Sequence, residues 1–442
     1  MLINKFHRPM RQSRSWVDHV DWLLIGLFAV LVFAGWLNIY AAVYNEDFQS
    51  IFDTSQRYGK QLLWIGTAAV LAIVILLIDE RFFSTFGYII YGVVLLLLLL
   101  VIVIGAETKG ATSWFAIGGF KIQPSEFSKF ATNLALAKYL STLNIKMKQL
   151  KTKAIATLII ALPAVLILLQ NDTGSALVYG AFILVLYREG LSGSFLLVGV
   201  FAALLFILTL FFQADSYQLP FNITLDGSTF LAILIFAVLL LLYYFNRKKK
   251  QIIIYLSVVF IASVGLIKSV DYVFTNVLEP HQSKRINVLL GLESDPKGAG
   301  YNVNQSLIAI GSGGFSGKGY LQGTQTKYDF VPEQSTDFIF CTIGEEWGFL
   351  GSFFVIAVFM ALLLRILFLC SRQRSNFARI YGYGVASILF FHFAINIGMT
   401  IGLAPVIGIP LPFFSYGGSS LWAFTILLFV FIKMDADRLE VL

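Results

Sequence analysis

Glu126, Lys129 and Asn133 follow Gln123-Pro124-Ser125 at intervals of three and four, so on a helix opening at Pro124 they share one face. A carboxylate in the first turn suits the positive end of the helix dipole, and a lysine this near the helix start can snorkel outward to water. The chemical reading is an ionisable stripe facing an outward-opening cavity, because charges inside a membrane usually mark a substrate path. Asp172, within Asn171-Asp172-Thr173, suits a helix cap that also faces the cavity. Lys318 stands among Gly311, Gly313, Gly314, Gly317 and Gly319, whose backbone amides can close on an anion. This cluster is not a P-loop: Ser312 stands where the first glycine is required, and Gly319 where Ser or Thr is. Asp295 precedes Pro296, which biases it to extended backbone outside any helix. Glu345 and Glu346 are adjacent, so on a helix they point about 100° apart and form no acid–base dyad. His392 and Asn396, at i and i+4, suit interhelical hydrogen bonds. The four histidines, at 7, 19, 281 and 392, are too scattered for a zinc site, and no nucleophilic triad can be assembled.

The elements that must position these groups are membrane helices. Apolar residues make up 58% of the 442 and charged ones only 13%, about half the charge of an average soluble domain. That excludes a water-soluble enzyme. Twelve apolar windows, near 22–44, 61–78, 84–105, 124–142, 154–170, 173–188, 193–212, 230–245, 252–270, 337–370, 379–402 and 413–433, predict an all-α polytopic bundle. Spanning strands are excluded by unbroken apolar runs such as Val93 to Ile104. Cys341 and Cys370 lie in one apolar window, which argues against a disulfide framework.

The net charge of +7 is placed by topology, not by nucleic acid. Lys146, Lys148, Lys151 and Lys153 crowd one short loop and Arg247 to Lys250 another, which assigns those loops and both termini to the cytoplasm. The expected organisation is a cytoplasmic tail over 1–21, helices one to nine over 22–270, an extracytoplasmic loop over 271–336, helices ten to twelve over 337–433, and a second cytoplasmic tail over 434–442. No cleavable signal peptide is evident. The long loop carries Tyr301, Ile308, Ile310, Phe315, Tyr320 and Phe330, so it is expected to be ordered and folded against the bundle.

Taken together, these residues resemble the SEDS family (shape, elongation, division and sporulation proteins), and within it the rod-shape branch more than the division branch. The likeness rests on Thr112-Ser113-Trp114 through Gln123-Pro124-Ser125-Glu126-Phe127-Ser128-Lys129, Asn171-Asp172-Thr173-Gly174, Arg285 to Phe340, and Pro412 to Ser420. The stretches Glu293-Ser294-Asp295-Pro296 and Gly323-Thr324-Gln325 tilt it to the rod-shape branch. The family pattern has ten helices, so residues 191–250 look like an added hairpin, which leaves sidedness unchanged.

The resemblance implies a peptidoglycan glycosyltransferase that polymerises lipid II on the outer face of the cytoplasmic membrane, for cell elongation. Implied partners are a class B penicillin-binding protein as transpeptidase and other elongation-complex membrane proteins, besides the surrounding lipids. It places Asp295 as the base that takes a proton from the acceptor sugar's 4-hydroxyl, a role worth roughly 10²–10⁴ in rate. The donor is α-linked and the product β-1,4-linked, so one inverting displacement suffices, releasing undecaprenyl pyrophosphate. The departing diphosphate needs charge neutralisation, for which Lys129, Lys318 and Arg285 are candidates, held by Glu126 and Gln305. A divalent cation, Mg or Mn, would assist there, although no dedicated cage is visible. Trp114 would stack on a sugar face or anchor at the interface. The alternative is a lipid II flippase, but a transporter should carry its charges near the bilayer midplane, whereas these all map to the outer side. A third reading, an inactive assembly scaffold, is disfavoured because unused charges in a membrane are costly.

Overall fold

The protein was analysed as a computed structural model, which describes residues 19–44, 50–108, 110–117, 120–143, 145–213, 216–219, 223–246, 251–276, 300–328 and 330–439. The chain opens with three long helices, α1 (Trp22–Ala42), α2 (Arg57–Leu77) and α3 (Glu80–Ile104). Three short antiparallel strands follow, β1 (Ala106–Thr108), β2 (Ala111–Ile117) and β3 (Phe120–Ile122), paired in sequence order. Next come α4 (Pro124–Leu140), α5 (Leu150–Leu168), and a broken segment in which α6 (Thr173–Leu177) and α7 (Phe182–Arg188) flank a 3₁₀ turn over Val178–Ala181. The helix α8 (Gly193–Gln213) leads through a hairpin, β4 (Ser216–Leu219) and β5 (Ile223–Asp226), to α9 (Gly227–Asn246) and α10 (Ile252–Asn276). The chain closes with α11 (Tyr301–Gly313), α12 (Thr324–Lys327), α13 (Ile339–Glu346), α14 (Gly348–Ser371), α15 (Asn376–Thr400) and α16 (Gly418–Ala436).

The fold is the expected all-α membrane bundle, while the expected count of twelve spans is not confirmed. Among the described residues ten helices are long and apolar enough to cross a bilayer. The two remaining windows form shorter helices. The 17-residue α4, which carries Ser125, Glu126, Ser128, Lys129 and Asn133, and the segment Thr173–Arg188, interrupted by its 3₁₀ turn, are the shorter ones. The window 337–370 is not one helix: Gly348, with φ of +62°, breaks it into α13 and α14. The break lets Gly317 pack so closely that a Cβ on Gly348 would strike its backbone nitrogen. The last helix begins at Gly418 instead of 413, because Phe413 adopts a left-handed conformation with φ of +64°.

Three bodies of apolar packing result, one of them the small cluster of Ala309, Val331, Phe338 and Cys341. The main core draws on α1–α5, α7 and α13–α16, with Leu24, Leu98, Phe182, Phe359, Tyr381 and Phe431 fully buried. Helices α8, α9 and α10 pack chiefly on one another around Leu205, Leu231 and Ile267, a separate small core. At the end where α1 begins, Asp21 caps that helix and accepts from Arg365, while Arg372 and Arg438 converge on Asp435 near the end of α16. Burial pushes the Asp21 carboxyl up, but the Arg365 hydrogen bond, the Leu24 amide and the charges of Arg365 and Arg372 outweigh it and hold its pKa below the usual range.

Candidate active site

The site gathers at the opposite end of the bundle, where α4 starts. Pro124 occupies the first helical position, where its missing N–H costs nothing. Just before it, Gln123 bridges two elements: its backbone N–H donates to Ser419 Oγ on α16 at 3.2 Å, and its Nε2 donates to Asp172 Oδ2 at 2.9 Å. Asp172 also receives Ser125 Oγ at 3.4 Å and caps α6 through the Ser175 amide at 3.0 Å. It is therefore a helix cap and a cross-link to α4 at once, and it stays half-buried.

Glu126 and Lys129 turn into the protein, so the expected open cavity does not surround them here. Lys129 Nζ donates to Glu126 Oε2 at 2.8 Å and to His392 Nε2 on α15 at 3.0 Å, and lies 5.0 Å from the Phe424 ring centroid on α16. Because an ammonium only donates, Nε2 accepts, and His392 is left to donate through Nδ1 to the Pro410 carbonyl at 3.3 Å. Lys129 is 1% and Glu126 4% exposed, which rules out snorkelling. Asn133 completes the face by donating to the Tyr381 carbonyl at 2.9 Å, against Gly384, where any Cβ would collide with its amide.

Beside this cluster lies a strap over residues 333–337 that sequence reasoning did not single out. Ser415 Oγ donates to the Thr336 carbonyl at 2.5 Å, the Tyr416 N–H to the Ser335 carbonyl at 2.9 Å, and Arg57 Nη1 of α2 to Ser335 Oγ at 2.7 Å. Gln61 Oε1 accepts from the Gly417 N–H at 3.3 Å, and Asn396 donates to the Asp337 and Ile409 carbonyls at 2.8 and 2.7 Å. Burial raises the pKa of the Tyr416 phenol against the lowering effect of the nearby Arg57 charge. Glu333 holds a left-handed backbone at φ of +60°, a strain of the sort found at functional sites. The signal for Arg57 was available: it is an arginine at the start of an apolar window, in Gln56-Arg57-Tyr58.

Lys318 belongs to a second group. Glu126 and Gln305 were expected to hold the cations, but the Lys318 ammonium pairs with Glu345 at 2.7 Å and Thr324 Oγ1 at 2.8 Å. Glu345 also accepts from the Gln325 and Thr326 amides and from Thr326 Oγ1, at 2.8, 2.9 and 2.6 Å. Burial works to raise its pKa, and Lys318 with these donors pulls it below the usual range. Glu346 reaches the neighbouring part of the same turn; burial, with the Glu345 charge, raises its pKa to about 7 against the pull of the Leu321 and Gly323 amides. The two carboxylates thus hold one turn through different amides and share no hydrogen bond with each other. Gln305 is half-buried on α11, whose neighbouring Ser306 ties it to the Thr400 carbonyl at 2.8 Å. Trp114 is half-buried on β2, paired with Ala106. Asp295 and Arg285 lie outside the described residues. Among the described residues no three His, Cys, Asp or Glu side chains converge to cage a metal, so no step below is routed through one.

Fold and site define a polytopic membrane protein with buried ionisable and hydrogen-bonding groups gathered at one end of its bundle. A family profile described as cell cycle protein, FTSW_RODA_SPOVE, matches residues 21–225 and 222–439. The chain is 34% identical over 440 residues to the peptidoglycan glycosyltransferase RodA of Treponema pallidum (strain Nichols), covering 96% of this chain and 99% of that one. It is 31% identical over 405 residues to the peptidoglycan glycosyltransferase MrdB of Escherichia coli (strain K12), covering 91% and 90%. Among solved structures, the rod shape determining protein RodA of Thermus thermophilus superposes with a TM-score of 0.61 at 26% identity, over 95% of this chain and 97% of that one. A chain from a structure described as the coordination of polymerization and crosslinking by a peptidoglycan synthase complex gives 0.67 at 29% identity, over 95% and 98%. The chain belongs to this family, the SEDS proteins, on its RodA side, and it is a glycosyltransferase.

Proposed function

We propose that this chain polymerises lipid II into β-1,4 glycan on the outer face of the cytoplasmic membrane. The observation that carries the reading is the gathering of Glu126, Lys129, Asp172 and His392 with Arg57 and the 333–337 strap toward the end of the bundle where α4 starts. That end is read as extracytoplasmic because the Lys146 to Lys153 loop, at the other end of α4, carries the positive-inside signature.

In this mechanism Asp295 accepts the proton of the acceptor 4-hydroxyl as that oxygen attacks the donor's anomeric carbon. The bond to undecaprenyl pyrophosphate breaks in the same step, with inversion. The diphosphate leaves as an anion stabilised by positive charge, the part assigned to Arg285 and Lys318. Trp114 is assigned to a sugar contact, and Gln305 to holding the cations at the diphosphate. Lys129, with its donors engaged by Glu126, His392 and the Phe424 ring, ties the start of α4 to α15 and α16, while Gln123 holds Asp172. A class B penicillin-binding protein is the proposed crosslinking partner, supported by the synthase complex to which the chain is similar.

The test is incubation of lipid II with the purified full chain and its transpeptidase, with products resolved by length. Polymer is expected from the natural chain and none from Asp295→Asn, with thermal unfolding unchanged. Polymer at the natural rate from the Asn variant would remove Asp295 from the mechanism.

A further inference from the structure

The corner between α4 and α5, at the far end of α4 from the candidate active site, combines free charge with bare apolar surface. We propose that it binds the headgroups of anionic phospholipids. With 17 residues, α4 separates the corner from Pro124 by about 25 Å. The corner is built, not frayed. Its turns close through Thr142 N–H to the Tyr139 carbonyl at 3.2 Å, Ile145 N–H to Thr142 at 3.3 Å and Gln149 N–H to Lys146 at 3.1 Å. Met147, 6% exposed, pins it inward beside Gly190.

On this pinned turn, Leu143 and Leu150 are 90% and 82% exposed, the two most exposed large apolar side chains among the described residues. They bracket Lys146 and Lys148, and Lys151 follows directly; all three lysines are exposed. None forms an ion pair with a described residue. Neighbouring cations are already engaged. Lys138 donates to the Thr85 carbonyl and covers Tyr88, Lys153 covers Phe195, and Arg379 pairs with Glu189 at 3.0 Å.

Leu143 lies three residues past the end of α4 and Leu150 opens α5, and the lysines around them carry the positive-inside signature of a membrane surface. Two apolar side chains at that depth can enter acyl chains while the lysines between and beyond them meet phosphate. A free phosphate gains nothing from the leucines, and an acidic protein segment does not explain their position at the bilayer edge. Each lysine near an anionic surface strengthens binding by roughly five-fold, and three together by about a hundred-fold.

The full chain would be released from bilayers of equal phosphatidylglycerol and phosphatidylcholine, and the retained lipids counted by native mass spectrometry. Preferential retention of phosphatidylglycerol is expected. Lys146→Gln/Lys148→Gln/Lys151→Gln should lose at least ten-fold of that preference, the matching triple arginine variant should keep it, and Lys60→Gln at the other end should not change it. Leu143→Ser/Leu150→Ser should also weaken retention, and soluble glycerol phosphate should not compete. The proposal is overturned if the triple glutamine variant keeps the natural preference. It is equally overturned if the triple arginine variant, unfolding at the natural temperature, loses the preference, if glycerol phosphate displaces the lipid, or if the corner captures an acidic peptide while lipid selectivity stays unchanged.

Discussion

Replacing Glu126 by Gln would leave the Lys129 ammonium, 1% exposed, without its counter-charge at 2.8 Å. The His392 ring nitrogen at 3.0 Å and the Phe424 face at 5.0 Å are neutral partners and cannot take over that role. Breaking a buried pair from one side costs about 3–5 kcal/mol, most of it the burial of the orphaned charge. For a chain of this length that corresponds to a fall in unfolding midpoint of roughly 3–5 °C. Lys129→Met should cost a similar amount by orphaning the carboxylate. The double variant Glu126→Gln/Lys129→Met should recover most of the loss, because exchanging a whole buried pair for neutral groups is often close to neutral. Its polymerisation of lipid II should nevertheless remain low, since the ammonium that joins α4 to His392 is gone. Thermal unfolding in detergent, paired with product-length analysis, reads both arms. Equal midpoints for the natural chain and both single variants would refute the electrostatic argument. Full activity in the double variant would reduce the pair to a brace between α4, α15 and α16.

Gly384→Ala should destabilise the chain by about 1–3 kcal/mol, because the added methyl meets the Asn133 amide where α4 and α15 touch, as unfolding in detergent would show. Arg57→Lys loses the guanidinium bond to Ser335 and should lower polymerisation more than it lowers the unfolding midpoint, whereas Ser335→Ala should reproduce part of the effect. Glu346 has a folded-state pKa raised to about 7, so its contribution to stability is complete below pH 4.5 and is lost as pH rises through 7. Glu346→Gln should therefore flatten the unfolding profile between about pH 5 and 8 and stabilise the chain most at the alkaline end. Glu345, with a lowered pKa, works the other way: its contribution holds above pH 4.5 and is lost as pH falls through its folded value, a loss that Glu345→Gln should abolish.

Most of the bundle was legible because spans announce themselves as long apolar windows, and α4 could be placed from Pro124 alone. What failed was local backbone geometry inside such windows. Residues 337–370 read as one run because hydropathy is blind to the φ of Gly348, which only the approach of Gly317 explains. In the site, Glu126, Lys129 and Asn133 were found by spacing and Asp172 by its capping position. Their orientation was not, because it depends on His392 and Tyr381, some 250 residues further along the chain. The strap over 333–337 was quoted as part of a likeness, but its role as a latch between α2 and the start of α16 is visible only in hydrogen bonds between distant segments. Glu345 was correctly denied a partner in Glu346, yet its grip on Lys318 could not be read from two residues in different elements.

The separate core shared by α8, α9 and α10 gives this architecture a tethered arm. The last of those helices hands the chain directly to the stretch bearing Asp295, whereas the downstream end of that stretch is moored at α11, through Ser306 on Thr400. A substitution in the small core around Leu205, Leu231 and Ile267 is therefore felt first within the trio and leaves the packing of the main core in place.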